Sequence, residues 1–232
     1  MNKLTKISAA TLMFFTVAGQ AMAADDNVDV KVTGQIVPPA CVPAVNGGAV
    51  FDYGAIKAGS LPQDDFFTGL TEKSLKFAIT CDSPMKIAFT SVDGRKGSAV
   101  IPVGKSIQQQ TITEHSGLMG VGLDGNMKIG AYSLNVANMK IDSGDGVILD
   151  YTKYDSISSS DNGKTWRKVN RMYLNDNNEV TSVAAKGTLT PLTVKTLTGD
   201  IFSQLVINKG SELDLTKVIH IDGMSSVQVI YL

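Results

Sequence analysis

Apolar side chains in this chain recur at every second position, and past the leader no segment of useful length repeats them at helical spacing. Residues 28–41, VDVKVTGQIVPPAC, set the pattern. Val28, Val30, Val32, Gly34 and Ile36 fall on one side, and Asp29, Lys31, Thr33 and Gln35 on the other. That is the period of a β-strand with one buried face. It returns in Leu75, Phe77, Ile79 and Cys81, then in Met85, Ile87 and Phe89. Tyr132, Leu134 and Val136 repeat it, as do Val147, Leu149 and Tyr151. Val227, Val229 and Tyr231 end the series; Ala49, Phe51 and Tyr53 also alternate, and residues 202–207 are a dense apolar run. Gly47-Gly48, Asp82-Ser83-Pro84, Asp93-Gly94, Asp124-Gly125 and residues 143–146 supply turn chemistry between these segments. Short strands separated in this way predict an all-β chain folded as a β-sandwich.

Residues 1–23 read as a secretory leader. Lys3 and Lys6 make its charged start, residues 7–18 an apolar stretch too short to span a bilayer, and Ala21-Met22-Ala23 a cleavage site. No later apolar run is long enough to cross a membrane, so the expectation is an exported chain without a transmembrane segment. Its 21 Lys+Arg against 22 Asp+Glu create no basic field for nucleic acid or an anionic membrane. Cys41 and Cys81 are the two cysteines, and in an exported chain they pair by default. Closing that loop stabilises a fold by about 4 kcal/mol on the chain-entropy model.

Neither cysteine has a second one two residues away, and the two histidines, His115 and His220, are remote from both in sequence. A redox motif and a metal site are therefore not expected, nor is a cofactor. GxSxG, HExxH and a P-loop are absent, so no enzyme is expected. Asp142, Asp145 and Asp150 lack the spacing of a calcium loop and read as solvated turns. Residues 159–166, SSDNGKTW, fit the Asp-box pattern SxDxGxTW. A single copy reads as one hairpin, with Asp161 bonding turn amides and Trp166 packing beneath.

Four features together resemble subunits of the chaperone–usher pilus family of Gram-negative bacteria. An alternating strand near the start carries Gly34 seven residues before the first cysteine; Cys41 and Cys81 stand forty apart; the second cysteine ends the strand FAITC; and SSVQVIYL closes the chain. The segments PPAC, GGAVFDYG and the terminal YL resemble more narrowly the GltF-like branch of pilin-like proteins. The resemblance implies an immunoglobulin-like sandwich lacking its last strand. Residues 24–37 would be an N-terminal donor extension, and residues 38–232 the domain, with a long insertion at roughly 94–186. Val28, Val30, Val32, Gly34 and Ile36 would form the donor strand. Val227, Val229 and Tyr231 would edge the groove, with Leu232 beside them offering a carboxylate to a chaperone. The implied partners are a periplasmic pilus chaperone, an outer-membrane usher and neighbouring subunits, and the implied destination is a fimbrium at the cell surface. Pro38-Pro39, and Ile219 where many such subunits carry glycine (here the nearest is Gly223), depart from the pattern. Two alternatives stand beside it: residues 28–36 as an ordinary first strand, and the chain as a free periplasmic sandwich that binds a ligand or partner. A link to glutamate or nitrogen metabolism rests on the branch's name alone.

Overall fold

The structure, a computed structural model, describes residues 30–37, 39–174 and 179–232. The leader and Val28 lie outside them. Contacts along the backbone divide the chain into Met1–Val37 and Pro38–Leu232. In the first unit, residues 30–37 form neither helix nor strand.

The second unit is all-β. β1 (Cys41–Val45) leads through short 3-10 turns to the long β2 (Lys73–Asp93). Short strands follow: β3 (Ser106–Ile107), β4 (Gln110–Thr111), β5 (Met119–Gly120), β6 (Leu123–Asp124) and β7 (Met127–Lys128). β8 (Gly130–Asp142), β9 (Ile148–Leu149), β10 (Tyr154–Ser159), β11 (Arg167–Lys168) and β12 (Met172–Tyr173) come next. β13 (Val180–Ala185), β14 (Thr193–Ile207) and β15 (Ser225–Tyr231) complete the order. One curled antiparallel sheet of the β-sandwich type joins most of them.

β2 is the strand on which the sheet turns. Its first half pairs with β1 on one edge, Cys41 opposite Cys81, and with β14 on the other, Ser203 opposite Lys73. Its second half pairs with β15, from Ser225 opposite Asp93 to Tyr231 opposite Ile87, and meets β13 where Thr181 faces Phe89. The turn expected at Asp82-Ser83-Pro84 is instead a bend within this strand. The β14 register slips there: Val194 faces Met85, but Thr196 already faces Thr80. Proline has no N–H for a ladder, so it sits where the ladder is broken. Strands that pass from one packed layer to the other do so at such irregularities. The bend brings Phe77 and Phe89 from the two halves into tilted contact, ring centroids 5.9 Å apart. Around them Ile79, Ile87, Leu134, Val136, Leu197, Ile201 and Leu205 form the core.

The disulfide forms as expected, between directly opposed residues of β1 and β2. The alternation of Ala49, Phe51 and Tyr53 does not become a strand. Gly47 and Gly48 take left-handed φ of 68° and 66°, and Ala49 follows at 57°. That tight turn leads the chain off the β2 edge. Phe51, Tyr53 and Ile56 still pack against the core. The dense run of β14 has a different cause. Leu205 and Ile207 face the core, while Val206 faces outward and is buried under a second apolar cluster with Ile107, Ile112 and Leu118. The excursion between β2 and β8 lays that cover on the sheet, so Val206 of β14 and Ala131 of β8 are buried on the outer face as well.

The Asp-box hairpin joins β10 to β11 as the pattern implies. The Asp161 carboxylate accepts the N–H groups of Lys164 and Thr165 at 3.1 and 2.9 Å, the Thr165 hydroxyl at 2.7 Å and the Ser159 hydroxyl at 2.6 Å. These donors, Ser159 first, hold its carboxyl far below the usual carboxylate range.

Candidate strand-docking groove

β15 has the alternation of a core strand but only one strand beside it. Among the described residues it pairs with β2 alone. Its other edge therefore presents backbone groups that no ladder uses. Val227 and Val229 point at the core and remain half-buried. Tyr231 is 54% exposed and Leu232 45%. The Tyr231 hydroxyl accepts the N–H of Cys41 at 2.9 Å, a side-chain bridge from β15 to β1. The Leu232 N–H donates to the Lys86 carbonyl at 3.1 Å. Its side chain rests on the Asp-box turn, where a Cβ at Gly163 would lie 2.9 Å from Leu232 Cδ2.

Away from the Tyr231 bridge the molecule opens. A cleft of about 330 Å³ runs between Val45–Tyr53 on one side and the stretch before Val227 on the other. Tyr132, Leu134, Ile201 and Leu205, all members of the core, form its floor. A second cleft of about 630 Å³ adjoins it, walled by Phe51, Ile56, Leu61, Leu213 and Ile219. Polar groups at the floor are satisfied internally. The Tyr53 hydroxyl donates to the Ser203 carbonyl at 2.8 Å. Burial pushes the Tyr132 hydroxyl up to about 12, with the Ser225 hydrogen bond opposing it and the Asp93 charge adding to it. Burial likewise raises Tyr53. Both stay neutral phenols over the whole working range. At the rim Arg95 pairs with Asp222. Such a groove can take the apolar side chains of an extended segment while the free edge of β15 supplies a ladder.

The proposed donor residues look different. Val30, Val32 and Ile36 are 83%, 94% and 103% exposed, and a Cβ at Gly34 would meet nothing within 4 Å. Alternation is thus present in residues 30–36 without a face to bury. The sequence marks the alternating residues of β15, but not the cleft-lining residues Tyr132, Ile201 and Leu205 or the wall at 213–221. Period two marks Tyr132, Ile201 and Leu205 only as core, which they are, at 8%, 2% and 1% exposed; that they also line a cleft follows from tertiary placement.

Comparison with known proteins adds the following. Residues 30–143 match the family described as "Protein of unknown function (DUF1120)". The match begins in the exposed ribbon and ends just after β8. The chain is also 28% identical over 256 aligned residues to "Protein GltF" of Escherichia coli (strain K12), with 97% of each chain covered. It is 26% identical over 251 to "Uncharacterized protein YhcF" of the same organism, covering 100% of both. No solved structure matches it. Neither relative's name assigns a partner or an activity.

Proposed function

We propose that the chain is an exported, non-enzymatic subunit of a fimbria-like assembly. The groove beside β15 receives residues 28–36 of a second copy, after a periplasmic pilus chaperone has lent its own strand. The observation that carries this is a pairing: a core-facing row, Val227 and Val229, left half-buried on an open-edged strand, in a chain whose alternating ribbon is fully exposed. Donor-strand complementation in pilins is the standard instance of such strand addition. A ribbon with Val30, Val32 and Ile36 at period two supplies the side chains that the floor lacks, and Gly34 supplies a point of close backbone approach.

The test uses the exported chain, with and without a synthetic peptide of residues 26–37. Alone, it should aggregate or form head-to-tail oligomers on a sizing column, since an open hydrophobic edge recruits partners. Excess peptide should convert it to a discrete monomeric complex with a raised unfolding midpoint. Gly34→Arg in the chain should abolish subunit addition yet leave peptide uptake intact, because it alters the donor and not the groove. A chain that is a stable monomer, indifferent to the peptide, would leave only a free exported β-sandwich.

A further inference from the structure

The outer face of β8 carries a group of polar side chains that the groove does not use. Ser133 and Asn135 alternate with Tyr132 and Leu134 and so point away from the groove floor. The β3–β4 hairpin lies over them. At its tip Gln108 and Gln109 both hold left-handed backbone angles, φ 49° and 63°, which glutamine rarely adopts. Gln108 is fixed there on three sides. Its N–H donates to Gln204 Oε1 at 2.6 Å, its Oε1 accepts the Ser133 hydroxyl at 2.8 Å, and its carbonyl accepts the Tyr173 hydroxyl at 2.9 Å.

Despite that framework, three buried side-chain atoms have no hydrogen-bond partner among the described residues: Gln108 Nε2, Gln110 Oε1 and Asn135 Nδ2. All three belong to this one cluster, and Gln108 and Asn135 are only 4% and 3% exposed. A buried amide left unpaired is unfavourable and calls for a partner from outside. Two polar clefts open beside it, of about 700 and 500 Å³, the first lined by Gln110 and Tyr173 and the second by Asn135. Residues 168–171 wall both. Arg171 there bonds the neutral amide of Gln109, and no carboxylate pairs with it among the described residues. Lys168 and Lys186 share Asp155, and Arg167 pairs with Glu179, so among the described residues cations outnumber carboxylates around the clefts. Tyr151, 72% exposed, adds an open aromatic ring to the second cleft.

We propose that this double cleft binds a carboxylated sugar, a uronic or sialic acid of a glycan. Ring hydroxyls both donate and accept, which suits an orphan acceptor on Gln110 at the first cleft and an orphan donor on Asn135 at the second. The planar Arg171 guanidinium matches a carboxylate. The Tyr151 ring suits the C–H face of a pyranose. Inorganic phosphate would satisfy the cations and leave the amides empty.

The test is calorimetric titration of the exported chain with galacturonate, glucuronate and N-acetylneuraminate, with galactose and inorganic phosphate as controls. At least one acid should bind saturably, at least about tenfold tighter than galactose, as expected of a site built to hydrogen-bond its ligand. Phosphate at equal concentration should not displace it. Arg171→Gln should reduce that acid to the level of its neutral counterpart. Asn135→Ala should weaken acid and neutral sugar alike; if it fails to fold, Gln110→Ala at a half-exposed position gives the same readout. Failure of all three acids, displacement by phosphate, or unchanged binding in Arg171→Gln overturns the assignment. None of these outcomes bears on strand uptake, because the groove lies on the opposite face of β8.

Discussion

β14 and β15 both feed the same core with every second side chain, yet they end up in different states. Leu197, Ile201 and Leu205 of β14 are 0%, 2% and 1% exposed. Val227 and Val229 of β15 are half-buried. The difference lies not in the side chains but in the neighbours. β14 is flanked on both edges, by β2 and by β8; among the described residues β15 is flanked by β2 alone. Burial of an alternating strand is completed by the strand beside it, and on the proposed reading a second copy supplies that strand to β15.

The largest test of this contrast removes the disulfide. Cys41 and Cys81 tie β1, one wall of the groove, to β2. Replacing both by serine should cost about 4 kcal/mol in urea unfolding, from the lost loop constraint. It should also widen the groove, so that peptide uptake weakens along with stability. Unchanged uptake would mean that β1 is no wall at all.

Next come truncations at matched positions. Leu197→Ala should cost about 3 kcal/mol, within the range for a fully enclosed leucine. Val229→Ala should cost about 1 kcal/mol, since part of its side chain already meets water. With the donor peptide bound, the Val229→Ala cost should rise to about 2 kcal/mol while that of Leu197→Ala stays put, because only the former gains burial. Equal costs with and without peptide would erase the distinction between the two strands.

Much of this contrast is legible in the sequence, and the part that is not has physical causes. Period two gives the faces of residues 75–81, 85–89, 132–136 and 227–229, and each packs as its alternation implies; Tyr231 ends the last series in solvent. The Asp-box gives its hairpin because all of its bonds are local. The strand through Pro84 is hidden, since a turn and a ladder break look alike from Asp-Ser-Pro. The absence of a ladder at 49–53 is hidden too, because the left-handed run at 47–49 acts on pairing and not on alternation. The amide cluster is wholly illegible. Gln108 and Ser133 meet only because the excursion folds back over β8, and no local pattern encodes that return.

The smallest effect concerns the far flank of the layer that ends in β15. There β10, β11 and β13 are held together at Asp155, 3% exposed, which pairs with Lys168 at 2.9 Å and Lys186 at 3.2 Å and accepts the Gly187 N–H at 2.8 Å. These partners, Lys168 first, hold its carboxyl far below the ordinary carboxylate range. A carboxyl depressed in the folded state stabilises fully above its unfolded value near about 4, and loses that contribution as pH falls toward the folded one. The unfolding midpoint should therefore be flat between neutral and mildly acid pH and decline below about pH 4. Asp155→Asn should lower the midpoint at neutral pH and flatten part of the acid decline, so that the two curves converge in strong acid. The groove flank carries no comparable pair at Val227 or Val229, so peptide affinity should follow neither curve down to the onset of unfolding. If affinity falls in step with protonation of Asp155, the two flanks of the layer are coupled, and the vacancy beside β15 is controlled from the opposite edge.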